Sequence, residues 1–255
     1  MTGTVIGLLH PGEMGSAVGE ALRNAGHAVL WASEGRSDET AARAAGFEDV
    51  VNAGELARRS DVILSVCPPH AALEVARSVA AFEGVYVDAN AVSPATAREV
   101  GGAVAGSFVD GGIIGPPPRE PGSTRLYLAG TDAETVAGLF VGTALDARVL
   151  GGEPGTASAL KMAYAAWTKG TAAMLLAIRD LARIEKVEPP LLEEWLLSQP
   201  ELIERSASAA RSAERKGWRW VGEMEEIAAA FAAAGAPAGF HRAAAEVFRG
   251  YERVF

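Results

Sequence analysis

Glycines in the pattern His10-x-Gly12-x-x-Gly15 are spaced for holding phosphate. A turn of this form lets the backbone approach a pyrophosphate at Gly12, packs a helix closely on the preceding strand at Gly15, and puts the anion at the positive end of that helix. His10 takes the first of the usual three glycine positions, and Pro11, Glu13 and Met14 complete the turn. Roughly 20 residues further on, an acidic residue would bind an unsubstituted ribose. Ser33 stands at that place, followed by Arg36-Ser37. A guanidinium beside a hydroxyl and a helix start suits a 2′-phosphate, so NADP is the expected cofactor and NAD the less favoured one. The remaining group of interest is Lys161, in the first turns of a long helical pattern, where it reads either as a solvated surface charge or as a reactive amine.

The elements that must position these groups can be taken in order. Residues 4–10 form a short apolar strand that ends in the glycine turn, and a helix follows to the stop signal Asn24-Ala-Gly26. Strands are expected at 27–33, 61–67, 85–90, 107–114, 124–130 and 146–150. Between them lie helices at 38–45 with Ser37 as N-cap, at 54–60, from Pro68-Pro69 to about residue 82, from Ser93-Pro94, and from the capping box Thr131-Asp-Ala-Glu134. Apolar strands alternating with helices imply a doubly wound parallel sheet covered on both faces, a Rossmann-type α/β fold. Asn90 and Ser93, at a strand end and a helix start, lie where such sheets bind ligands, and Cys67-Pro68 lies at another strand end. Asn90 is expected to contact nicotinamide or substrate, and Pro68 to flank a ribose. Cys67 ends an apolar run and reads as a packed residue more than a nucleophile.

Past Gly152-Glu-Pro154 no strand pattern appears, so the expected division is a dinucleotide-binding domain at 1–152 and an all-helical substrate and dimerisation domain at 153–255. Its long first helix runs from Gly155 to about Lys186. Apolar Leu160, Tyr164, Trp167, Met174, Ile178 and Leu181 recur on it with Thr171 at steps of three and four, a single buried stripe. Further helices are expected at 191–197, after Pro200, at 223–234 and at 239–251. Tyr164 could donate a hydrogen bond but its place on the stripe favours packing, and His241 reads as structural. The stripe together with Trp167, Trp195, Trp218 and Trp220 is more apolar surface than a small domain covers alone, and a homodimer is expected.

Composition bounds the function. The chain is 49% hydrophobic and 22% charged, with a net charge of −9 and no basic run, which argues against nucleic acid or an anionic membrane as partner. No stretch reaches the roughly 18 apolar residues of a membrane span, and one cysteine fits a reducing compartment. A soluble cytoplasmic protein acting on a small molecule is expected. No spacing of His, Cys, Asp or Glu suggests a metal site.

Gly12-Glu-Met-Gly15, Asp88-Ala-Asn90-Ala-Val-Ser93-Pro94, Phe108-Val-Asp110-Gly-Gly-Ile-Ile-Gly115 and the helix bearing Lys161 together resemble the β-hydroxyacid dehydrogenase superfamily. That group includes 6-phosphogluconate dehydrogenase, 3-hydroxyisobutyrate dehydrogenase and the imine reductases, and the likeness is strongest to a poorly characterised phosphogluconate-dehydrogenase-like branch. The resemblance implies hydride transfer between a nicotinamide and a small carbonyl, hydroxyacid or imine centre, with Lys161 as the acid or base. A lysine desolvated between two domains can have its pKa lowered enough to pass a proton at neutral pH. It also implies a substrate site around Ser93, Ile114, Gly115 and Tyr164, Glu223 in the acidic place of a lysine–aspartate pair (a solvated face of an acidic helix start explains it equally well), and helical domains exchanged between protomers. The superfamily's substrate serine is replaced by Ile114, and the asparagine one turn after the lysine by Ala165. These departures leave the cofactor and proton-transfer parts intact but argue against the familiar hydroxyacid substrates. They also keep open an alternative class, a non-catalytic NADP-binding sensor or partner-binding protein.

Overall fold

The computed structural model describes residues 3–251 and divides the chain into two compact units, Met1–Lys161 and Met162–Phe255. The division falls inside a helix rather than at the change of composition near Gly152, so the first turns of that helix belong with the sheet.

The first unit is an eight-stranded sheet in the order β3-β2-β1-β4-β5-β6-β7-β8. Its strands are β1 (Val5–Leu9), β2 (Ala28–Trp31), β3 (Glu48–Asp49), β4 (Val62–Ser65), β5 (Val85–Asp88), β6 (Ser107–Ile114), β7 (Thr124–Ala129) and β8 (Leu145–Val149). Helices α1 (Glu13–Asn24), α2 (Asp38–Arg43), α3 (Ala53–Arg59), α4 (Ala72–Arg77), α5 (Pro94–Gly101) and α6 (Ala133–Gly138) connect them. The expected parallel pairing holds from β3 to β6 and again between β7 and β8. β6 and β7 instead run antiparallel, with Asp110 opposite Ala129 and Ile114 opposite Arg125. Residues 115–123 are the reason. They are too few for the crossover of a dozen or more residues that a parallel return requires.

Alternating residues feed the two faces. Leu8, Val29, Leu64 and Val87 belong to one core cluster, while their neighbours Leu9, Leu30, Ile63 and Tyr86 belong to the other. Burial on both faces is why the strands read as unbroken apolar runs. The chain order reverses between β1 and β4, and ligands of such sheets bind at that point, beyond the carboxyl ends of the strands.

The second unit is helical. It contains most of α7 (Thr156–Ile184), then α8 (Glu188–Ser198), α9 (Glu201–Ala233) and α10 (Gly239–Arg249). The two helices expected after Pro200 are one, α9, with Gly217 and Gly222 inside it. α10 lies on α9 through an edge contact of Trp220 with Phe248, ring centroids 5.0 Å apart, and a tilted contact of Phe231 with His241 at 4.2 Å. Arg179 on α7 reaches Glu188 at 2.7 Å and Ser206 at 3.0 Å. The expected buried stripe on α7 has the right period and the wrong face. Trp167 is 63% and Leu181 60% exposed, whereas Met162, Ala165, Ala173 and Leu176 are buried. Trp195, counted from sequence among the surface tryptophans, is also buried. Among the described residues no helix is long and apolar enough to cross a membrane.

Candidate active site

β1 delivers the chain into the glycine turn. His10 adopts a φ of 65°, Pro11 is buried, and Gly12 is the N-cap of α1 with no side chain capping the helix. A Cβ on Gly12 would meet nothing within 4 Å, whereas one on Gly15 would lie 2.5 Å from the His10 carbonyl oxygen. Gly15 is therefore required by the turn itself, and Gly12 borders open space. Uncapped first-turn N–H groups facing open space suit a phosphate. Glu13 is exposed beside them and Met14 packs against the core.

Beyond β2, the guanidinium of Arg36 donates from Nη1 to His10 Nε2. Burial first, and the Arg36 charge second, push the His10 pKa down to about 4, so the ring is neutral at ordinary pH. Burial likewise lowers the Arg36 pKa. Ser37 caps α2 by accepting from the Thr40 N–H at 3.3 Å. The Ser33 N–H donates to Asp49 Oδ1 at 3.3 Å, and the same oxygen accepts from Val51 at 2.8 Å. An acid thus does stand near the end of β2. It comes from the short β3, and that carboxylate is already engaged by the backbone.

At the ends of β4 and β5 the polar side chains hold one another. Asn90 accepts the Cys67 N–H at 2.5 Å and donates to Ser65 Oγ at 3.1 Å and to Asp88. Its amide, expected to face nicotinamide or substrate, is buried and turned into the protein. It fixes the Cys67-Pro68 turn. Burial pushes the Cys67 thiol up to about 12, which removes it as a nucleophile at neutral pH. Ser93 is likewise buried, with its hydroxyl capping α5 through the Thr96 N–H at 3.2 Å.

Lys161 is held by β6. Its Nζ donates to the Ile113 carbonyl oxygen at 2.7 Å. One turn earlier, the fully buried Asp110 accepts from Gly155 N at 2.8 Å, Ser158 N at 3.0 Å and Ser158 Oγ at 2.5 Å. The carboxylate thus occupies the N-terminus of α7, where a negative charge is favoured. Gly112 lies between these two attachments, and a Cβ there would be 2.9 Å from Ala157 O and 3.1 Å from Lys161 Cβ. The strand therefore receives the start of α7 at atomic contact and sets the lysine relative to the sheet. Ile114 is buried on the same face as Asp110 and Gly112. Gly115, at a φ of 132°, leaves no room for a side chain beside Ser123 and Thr124.

The Asp110–Ser158 attachment has no local sequence motif. Its one visible signal is an acid within an otherwise apolar strand, since such a residue is almost never fully buried without partners. Within the second unit, Ala165 is buried and Tyr164 is 46% exposed. Glu223 pairs with Lys169 at 2.7 Å. Among the described residues no group of three or more His, Cys, Asp or Glu could hold a metal ion.

Known proteins share this fold. Residues 5–91 match the family described as NADP oxidoreductase coenzyme F420-dependent, and residues 182–251 match a domain of unknown function, DUF1932. A curated relative, an uncharacterized 28.5 kDa protein of Methanothermus fervidus, is 30% identical over 74% of each chain. A solved conserved protein of unknown function, described as structurally similar to 3-hydroxyacid dehydrogenases, shares 29% identity over 96% of each chain at a TM-score of 0.71. The 3-hydroxyisobutyrate dehydrogenase of Mycobacterium tuberculosis shares 16% identity, covering 97% of this chain and 93% of that one at 0.71. A reductive aminase of Aspergillus terreus in complex with NADPH and ethyl levulinate shares 16%, covering 98% and 93% at 0.60. At that identity the last two show a common fold. The chain belongs to the β-hydroxyacid dehydrogenase superfamily, a family of NAD(P)-dependent dehydrogenases and reductases.

Proposed function

We propose that this protein transfers hydride between NADP and a small carbonyl or imine centre, with Lys161 as the general acid or base. The observation that carries the proposal is the placement of Lys161. Its ammonium is fixed at 2.7 Å on a backbone carbonyl at the carboxyl end of β6, on a helix whose start is clamped by Asp110. The uncapped Gly12 turn supports dinucleotide binding, and Arg36 supports the 2′-phosphate. The NADPH-bound reductive aminase of the same fold is consistent with that cofactor. When bound, the nicotinamide supplies the hydride. The chain's own part is to hold the phosphates at the start of α1, to keep the Cys67-Pro68 turn rigid through Asn90, and to move one proton at Lys161 Nζ. Ile114 and Ala165 stand where the resemblance to hydroxyacid enzymes implies a serine and an asparagine, which favours a less polar carbonyl or an imine.

Replacing Lys161 with alanine is expected to lower kcat by about 10²–10⁴, the usual contribution of general acid–base catalysis, with NADPH affinity unchanged. An unaltered kcat on a verified substrate would remove the lysine from the mechanism. NADPH binding with no oxidation across keto acids, aldehydes and cyclic imines would replace the enzyme by a nucleotide sensor.

We also propose a homodimer. Its support is the row of exposed apolar residues on α7, including Tyr164, Trp167, Met174, Ile178 and Leu181.

A further inference from the structure

Phosphate binding by the backbone does not explain His10. The first position of the turn is in the left-handed region, with φ at 65°, where glycine is unstrained and a side chain is uncommon. A side chain is nevertheless kept there, and it meets Arg36, which follows another left-handed residue, Gly35, at a φ of 69°. A guanidinium has donors only, so His10 Nε2 must be the acceptor and the ring proton sits on Nδ1. That Nδ1–H and the Arg36 Nε–H are both buried and have no acceptor in the structure. Buried donors without partners are costly, and two at one contact mark a pair that lacks oxygen acceptors. The low pKa of the ring, about 4, keeps it an acceptor across the neutral range.

We infer that His10 is a positioning residue that presents Arg36 to a phosphate monoester on the adenosine ribose, and is thereby a determinant of NADP over NAD. The inference rests on the reading of the chain as an NADP enzyme. An unanchored arginine loses considerable rotamer freedom when it closes on a phosphate. One held by His10 has already lost it. A glycine at position 10, the ordinary choice for such a turn, would leave the phosphate loop intact and Arg36 without its anchor.

The test is a fluorescence titration of the full chain with NADPH and with NADH, using Arg36→Ala, His10→Gly and His10→Asn. Arg36→Ala is expected to weaken NADPH about tenfold or more, in line with loss of a charge-assisted hydrogen bond, and NADH within about twofold. His10→Gly is expected to weaken NADPH about fivefold without weakening NADH, and its turn relaxes rather than strains, so the protein folds. His10→Asn keeps an acceptor and tolerates the left-handed backbone, and is expected to restore most of the discrimination. If Arg36→Ala is selective while His10→Gly weakens both cofactors alike or neither, the role of His10 is overturned and the NADP reading stands. If Arg36→Ala weakens both alike, the NADP reading falls and this inference with it.

Discussion

Replacing Asp110 with alanine should destabilise the first unit more than any change at the protein surface. The carboxylate is fully buried and accepts three hydrogen bonds, from Gly155 N, Ser158 N and Ser158 Oγ. Alanine would leave all three donors unpaired at the start of α7, and each unpaired buried donor costs roughly 1–3 kcal/mol. The substitution also relieves the desolvation cost of the carboxylate itself. Taking both effects, the loss is about 4 kcal/mol. For a unit of this size that corresponds to a fall in Tm of about 10 °C. Ser158→Ala removes one hydroxyl bond and should cost about 1 kcal/mol. Because the two residues share that bond, the double variant should be less destabilised than the sum by about 1 kcal/mol. Urea unfolding followed by circular dichroism measures all four corners of the cycle. An Asp110→Ala protein within about 1 kcal/mol of the parent, or strict additivity with Ser158→Ala, would refute the clamp.

Acid should weaken the fold through its histidines. The folded-state pKa of His10 is about 4 against 6.5 for the free side chain, and that of His241 is lowered by burial. Burial holds the His10 ring neutral, so its contribution is complete above pH 6.5 and is lost as the pH falls towards 4 and the unfolded chain takes up protons first. His10 is only partly buried and solvent screens it, so we expect about 1–2 kcal/mol less stability at pH 4.5 than at pH 7 from this residue. His10→Asn should flatten that slope in urea titrations at the two pH values; an unchanged slope would show that His10 does not titrate as described. For the assembly, light scattering on a sizing column should give a dimer, and Trp167→Glu should shift it towards monomer. A parent protein eluting as a monomer would end the homodimer reading.

Much of this architecture could be read from residue types. The glycine turn, the alternation of strands and helices, and Lys161 at the start of a long helix are local patterns, and local patterns survive in a single sequence. Direction does not, because a strand buried on both faces is an apolar run whichever way it points. β7 therefore reads like its parallel neighbours, and only its pairing with β6 in the fold shows the reversed direction. The acidic Glu223-Met-Glu-Glu run reads as the start of a separate helix, yet α9 continues through it, with Gly217 and Gly222 inside and Tyr251 packed beside Gly217. On α7 the periodic residues were the obvious ones, Leu160 to Leu181, while the buried face relies on alanines that carry almost no hydropathy contrast. The site divides in the same way. His10, Arg36 and Lys161 announce themselves by type, but the pairing of Asp110 with Ser158 joins residues 48 apart in the chain and only folding brings them together. Asn90 and Ser93 were legible as polar residues at strand and helix ends, but not the fact that their side chains turn inward.

The placement of the unit division at Lys161 also matters to a chain being synthesised. β6 buries an acid whose partners are Gly155 and Ser158, so the sheet is not complete when its last strand leaves the ribosome. It must wait for the opening turns of α7, while the rest of that helix is still being made. The lysine is thus among the last residues the first unit requires, and the helix carries on from it directly into the second. Placement of Lys161 on β6 and completion of the first unit's contacts are, in time, the same event.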